Sequence, residues 1–147
     1  MQTACVFGGG VPAREQAATL RKLRPALVVA TPGRLVDLLG QKALSLQTCR
    51  HVALDEADRM LDMGFAPQLK IIVEALPAEA AERQTVMFTA TWPKSVRQLA
   101  ATMLRTAKTR QVPLGTRAPR RASCRAPRRT FTVHSPCMHR ASRRASR

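Results

Sequence analysis

Tyrosine is missing from this 147-residue sequence, and all aromatic residues together make up 3% of it. So few rings argue against a protein that reads single-stranded nucleic acid by stacking bases on aromatic side chains. No apolar run approaches the roughly 18 residues of a membrane-spanning helix. The opening residues Met1-Gln2-Thr3-Ala4-Cys5 lack the basic stretch and long apolar segment of a secretory signal. Cysteine is scarce as well: the four, at positions 5, 49, 124 and 137, include no CxxC pair, so no cysteine metal cluster is expected. Cys5 and Cys49 lie in apolar, strand-like contexts and are expected to be buried, reduced thiols. The expected class is a soluble, basic, intracellular protein with no membrane partner.

Acidic residues are also few, 9 Asp and Glu against 25 Lys and Arg, for a net charge of +16. The imbalance is local. Residues 116–147 hold ten arginines and no Asp, Glu or Lys, which leaves fifteen basic and nine acidic residues in 1–115. Ala, Pro, Ser, Thr and Arg supply 25 of those last 32 residues. A segment of that composition has little to bury against its ordering entropy, so 116–147 is expected to be a disordered basic tail on a body spanning 1–115. Ala-Pro-Arg-Arg recurs at 118–121 and 126–129, and Arg-Arg-Ala-Ser at 120–123 and 143–146. The tail reads either as an arm that neutralises nucleic-acid phosphates or as a stretch translated out of frame with the body.

Two periods alternate along the body. Ala4-Cys5-Val6-Phe7 is a short apolar run stopped by Gly8-Gly9-Gly10, and a helical spacing follows over Arg14–Leu23. Ala26-Leu27-Val28-Val29-Ala30 is uninterrupted and β-branched, which predicts a strand buried on both faces. Thr31-Pro32-Gly33 then predicts a helix start, with threonine at the cap and proline in the first turn, and Gly40 stops that helix. His51–Leu54 reads as a third strand, Leu69, Ile72, Val73 and Leu76 as a helical stripe, Gln84–Thr89 as a fourth strand, and Val96 to Leu104 as a helix opened by Pro93. Strands alternating with helices predict an α/β fold around a parallel sheet whose strand C-termini share one edge.

Four polar clusters follow those strands: Gly8-Gly9, Thr31-Pro32-Gly33-Arg34, Asp55-Glu56-Ala57-Asp58 and Thr89-Ala90-Thr91. Glycines let a backbone approach a ligand closely. A helix N-terminus with an arginine beside it suits a phosphate. An acidic pair at a strand tip can hold Mg²⁺, usually through water, and orient an attacking water on a nucleotide phosphate. Taken singly, each also reads as a plain turn, a capped helix or a solvated acidic loop.

Taken together they do not. TPGR, DEAD and TAT in that order and spacing, within the longer strings LDEADRMLDMGFAPQ and QTVMFTATWPKSVRQLA, resemble the DEAD-box RNA helicase family over Ala4–Leu104. The resemblance implies part of the first RecA-like domain of an ATP-dependent enzyme that couples ATP binding and hydrolysis to RNA binding and duplex unwinding. It implies RNA-backbone contacts, independent of base sequence, at Gly8, Gly9, Thr31, Pro32, Gly33 and Arg34. It also implies a Mg²⁺ contact at Asp55, a water-activating carboxylate at Glu56, and coupling of Asp58 to Thr89, Ala90 and Thr91. ATP and Mg²⁺ are the implied cofactors, and the wording of the motifs favours a nuclear setting within the cell.

The sequence departs from the family pattern in what it omits. No G-x-x-x-x-G-K-[ST] string occurs in the 147 residues, and neither do the adenine-reading and PTREL elements or a second RecA-like domain. The resemblance places the phosphate-loop strand beside the strand that leads to Asp55. A gap or a re-paired sheet with uncovered apolar surface is therefore expected. So is a chain without ATP hydrolysis of its own, for which the alternative function is that of a catalytically inactive RNA-binding fragment with a basic arm.

Overall fold

The computed structural model of the chain describes residues 1–77, 83–104 and 111, together with the backbone of 130–133. Strands and helices alternate as β1 (Thr3–Val6), α1 (Ala13–Leu23), β2 (Leu27–Ala30), α2 (Pro32–Gly40) and β3 (His51–Leu54). They continue as α3 (Ala57–Asp62), α4 (Ala66–Ala75), β4 (Gln84–Met87), α5 (Lys94–Met103) and β5 (Thr130–Val133). The five strands form one sheet in the order β1-β2-β5-β3-β4, and every pairing is parallel. The expected α/β class with a parallel sheet is thus observed.

The pleat sends alternate residues to opposite faces. Ala4, Val6, Val28, Ala30, Val52 and Leu54 are buried on one face with Ala17 and Leu20 of α1, Leu35 and Leu38 of α2, Met60 of α3 and Leu69 and Ile72 of α4. Met103 closes that core from the end of α5. The stripe of α4 meets this face, whereas of the buried residues on the α5 stripe only Met103 joins this core, Val96 and Ala100 being buried apart from it; each fully buried leucine contributes about 1.5–3 kcal/mol by leaving water. The opposite face carries Cys5, Leu27, Val29, His51, Ala53 and Val86, all exposed or half-buried. Phe7, Phe88 and Trp92 are exposed as well.

Three expectations need correction here. β2 is not buried on both faces: its residues alternate between half-buried and buried, because the pleat turns only Val28 and Ala30 into the core. Cys5 is exposed while Cys49 is buried, because the pleat turns Ala4 and Val6 into the core and Cys5 to the opposite face. The tail is not disordered throughout, because Thr130–Val133 forms β5 between β2 and β3. Thr-Phe-Thr-Val is a β-branched and aromatic run within an Arg/Ala/Pro/Ser segment, and that composition suits a strand. The re-paired sheet expected for this chain therefore takes its central strand from the tail. The rest of the tail, with Cys124 and Cys137, lies outside the described residues, as does 112–115.

Local signals placed the helix starts. Thr31 sits at the cap of α2 in extended backbone and Pro32 opens the helix, although the Thr31 side chain makes no capping hydrogen bond. The Leu35 amide donates to the Thr31 carbonyl instead, at 3.0 Å. Helix α3 was not foreseen: six residues long, it begins inside the acidic cluster.

Candidate functional site

Since all strands run the same way, their C-terminal ends meet at one edge. Gly8-Gly9 follows β1, Thr31–Arg34 follows β2, Asp55–Asp58 follows β3 and Thr89–Thr91 follows β4. The structure thus brings all four sequence-derived clusters together. With β5 between them, the ends of β2 and β3 lie about 10 Å apart, two strand spacings.

The glycine loop is fastened from two sides. Gly9 has φ 101°, a backbone conformation that side chains with a Cβ rarely adopt. Behind the loop, Gln16 of α1 is buried, and its Nε2 donates to the carbonyls of Phe7 at 3.0 Å and Val11 at 3.3 Å. Arg34 Nη1 donates to the same Val11 carbonyl at 2.9 Å. Arg34 is held further by Asp37, with Nε and Oδ2 3.8 Å apart. Its side chain is only 12% exposed, so the guanidinium is a tie between the two backbone elements and not a free surface charge. A Cβ built at Gly8 or Gly33 would meet no atom within 4 Å, so both backbones front open space. Beside them a groove of about 590 Å³ is lined by Cys5, Phe7, Thr31, Gly33, Arg34 and Phe65, among others.

On the other half of the edge, β3 and β4 are linked through their ends. The Phe88 amide donates to Leu54 O at 2.8 Å and the Ala57 amide to Phe88 O at 3.0 Å. Asp58, buried at the start of α3, accepts the Thr91 amide at 2.9 Å and the Thr91 hydroxyl at 2.7 Å on one oxygen. Its other oxygen accepts the Arg59 amide at 3.1 Å. Burial alone would raise the Asp58 pKa, but the hydrogen bonds from Thr91 and Arg59 outweigh it and hold the carboxyl below its ordinary value. Thr89 Oγ1 donates to the Thr91 carbonyl at 2.8 Å, which closes the loop on itself around Ala90.

Asp55 and Glu56 are half-buried at the tip of β3. Asp55 Oδ1 accepts the Glu56 amide at 3.0 Å, and Glu56 is left-handed at φ 51° and ψ 49°. Its carboxylate meets Arg59 Nη1 at 3.2 Å. Among the described residues no three His, Cys, Asp or Glu side chains gather as metal ligands. Two carboxylates without a glycine–lysine phosphate loop do not by themselves make an ATP and Mg²⁺ site.

Sequence reasoning missed Gln16 and the Val11 carbonyl. The signal for Gln16 was available: a glutamine beside Ala17 and one turn before Leu20 sits on the buried stripe of an amphipathic helix, and a buried amide needs partners. The Val11 carbonyl had no signal, because a backbone acceptor is invisible until the fold is known.

A family model described as DEAD/DEAH box helicase matches residues 1–99. The chain is 51% identical over 104 residues to the ATP-dependent RNA helicase DBP3 of Saccharomyces cerevisiae, covering 71% of this chain and 19% of that protein. It is 50% identical over 101 residues to the DEAD-box ATP-dependent RNA helicase 46 of Arabidopsis thaliana, covering 69% and 15% respectively. Among solved structures it is similar to the yeast DEAD-box splicing factor Prp28, with a TM-score of 0.62, 34% identity, and coverage of 69% of this chain and 23% of that one. A hypothetical ATP-dependent RNA helicase from Sulfolobus tokodaii matches with a TM-score of 0.60 and 27% identity, over 91% of this chain and 32% of that one. The chain thus spans less than a fifth of the curated relatives named, 19% and 15% of their lengths.

Proposed function

The chain belongs to the DEAD/DEAH box helicase family, and we propose that it is the part of a helicase's first RecA-like domain that grips the RNA backbone and carries the acidic cluster. The observation that carries this reading is the tie at the Val11 carbonyl, which holds the glycine loop after β1 and the start of α2 as one unit. Two backbone elements with open space before them suit a run of phosphates. In the first turn of α2, the amides of Gly33 and Arg34 have no acceptor inside the helix, and the helix dipole adds a partial positive charge. Contacts of this kind read the phosphate and sugar path and leave base sequence unread. Residues 1–115 form the body in this reading, RNA is the substrate, and the setting is inside the cell with the nucleus preferred.

ATP dependence comes with the family. In this reading Asp55 and Glu56 are the carboxylates assigned to the cation and the attacking water, and Asp58 is the link to Thr89, Ala90 and Thr91. The phosphate cradle must come from residues outside these 147, so the chain on its own binds RNA weakly and hydrolyses no ATP. Fluorescence anisotropy with a labelled single-stranded RNA tests the first part. Arg34→Ala should weaken binding several-fold, and unchanged affinity would place all binding on the tail. Phosphate release by the parent chain that vanishes in Glu56→Gln would overturn the second part.

A further inference from the structure

The edge of the sheet where the strands begin lies opposite the four polar clusters, and it is basic. Helices α1 and α2 end there, at Leu23 and Gly40, and β2 and β3 start there, at Leu27 and His51. The segments 20–28 and 41–50 around those ends hold Arg21, Lys22, Arg24, Lys42 and Arg50 and no Asp or Glu. All five cations are exposed. Arg24 and Lys42 are left-handed, at φ 44° and φ 51°, a conformation for which glycine is the usual residue after a helix. Between these segments opens a cavity of about 620 Å³, within the roughly 300–1,000 Å³ of ligand pockets. Leu20, Val28, Leu46 and Cys49 line it and are buried, whereas Arg21 and Arg24 line it and are exposed. Arg21 Nη2 donates to the Gln41 carbonyl at 2.9 Å, which fixes its guanidinium between the ends of α1 and α2.

We propose that this basic edge is a docking site for an acidic peptide segment that carries a bulky aliphatic side chain. The charge of the surface selects the sign of the partner, and arginine forks pair with carboxylates through two parallel hydrogen bonds. The apolar interior selects the anchor. A leucine seated against Leu20, Val28 and Leu46 leaves water while carboxylates on either side of it meet the arginines. RNA is also an anion, but segments 20–28 and 41–50 hold no Phe, Trp or Tyr on which a base could stack, and an apolar interior offers a phosphate no partner. A peptide held here lies at the opposite ends of the strands from Gly8-Gly9 and Thr31–Arg34 and leaves them open.

Fluorescein-labelled Asp-Glu-Asp-Leu-Leu-Glu-Asp-Glu, titrated with the full chain, tests the proposal by anisotropy, and the unlabelled peptide should shift the NMR signals of amides in 20–28 and 43–49. Arg21→Gln combined with Arg24→Gln should weaken binding roughly tenfold. Ser45→Trp keeps every charge and fills the cavity from an exposed position on its wall, and it should weaken binding with a thermal midpoint near that of the parent chain. Serine in place of both leucines of the peptide should weaken it as well. Equal affinity for the two peptides, or unchanged binding in Ser45→Trp, would mean charge attraction without a seat for the anchor, and the proposal fails. It fails equally if the shifted amides lie outside 20–28 and 43–49, or if a short single-stranded RNA shifts those same amides more strongly than the peptide does.

Discussion

Asp58 and Thr91, thirty-three positions apart, share two hydrogen bonds on one carboxylate oxygen, from the Thr91 amide at 2.9 Å and its hydroxyl at 2.7 Å. This pair is the direct side-chain link between the end of β3 and the loop after β4. A buried carboxylate that accepts several hydrogen bonds is held ionised, and each such bond to a charged group contributes roughly 1.5–3 kcal/mol. Thr91→Val, which keeps shape and amide but loses the hydroxyl, should lower the urea-derived stability by about 2 kcal/mol.

The same pair has a pH signature. The folded Asp58 carboxyl sits below its ordinary value, after the hydrogen bonds have overcome the opposing effect of burial. Its stabilising contribution is therefore complete above the ordinary aspartate range and is lost as pH falls through the lower, folded value. Urea midpoints measured from neutral pH down to about pH 3 should show an acid-side loss in the parent chain that is shallower in Asp58→Asn. An equally steep loss in the variant would assign the acid sensitivity to other groups.

Glu56 is left-handed at φ 51°, a conformation that costs a residue with a Cβ roughly 1–2 kcal/mol. Its ion pair with Arg59 is exposed and adds little. Glu56→Gly should therefore raise the thermal midpoint although it removes a carboxylate, by an amount equivalent to about 1 kcal/mol. Glu56→Gln, which keeps the strain, should leave the midpoint near that of the parent chain. A midpoint that falls in Glu56→Gly would mean that the ion pair matters more than the strain.

Much of this architecture was legible because its signals are local. Pro32 after Thr31, the stripe of Leu69, Ile72 and Leu76, and the apolar run that ends at Asp55 each declare an element within a few residues. What was not legible depends on the second layer of the fold. Nothing in Ala26–Ala30 says that only Val28 and Ala30 enter the core, and nothing in Thr130–Val133 says that it lies between two strands that precede it by more than seventy residues. Arg34 was found as a residue, but its acceptor, the Val11 carbonyl, was not, because a backbone oxygen twenty-three positions away leaves no mark in the sequence.

The two body cysteines should separate by reactivity. Cys5 is exposed, whereas Cys49 is buried and its thiol donates to the His51 carbonyl at 3.2 Å. Burial pushes the Cys49 pKa up, and the hydrogen bond to His51 and the charge of Arg83 offset this only in part. In a mass-resolved alkylation time course at mildly alkaline pH, Cys5 should react at once and Cys49 only when urea is added. Fast labelling of both in the folded chain would contradict the packing around the start of β3.

Gln16 offers the sharpest test of how the glycine loop is held. Its amide donates to Phe7 O and Val11 O, and Arg34 reaches Val11 O from the other side. Gln16→Leu keeps the size of the side chain and the apolar stripe of α1 but removes both donors, leaving two carbonyls one partner short, at a cost of about 1–3 kcal/mol if neither finds water. Since the loop lies at the surface, most of the effect should be local. Amides 8–11 should exchange faster while those of α4 are unchanged, and RNA affinity should fall in parallel with that of Arg34→Ala. A double variant of Gln16→Leu and Arg34→Ala should lose less than the two single losses combined, because both act on the same carbonyl. Full additivity would mean that Gln16 and Arg34 hold the loop independently and that the Val11 carbonyl is not the shared anchor.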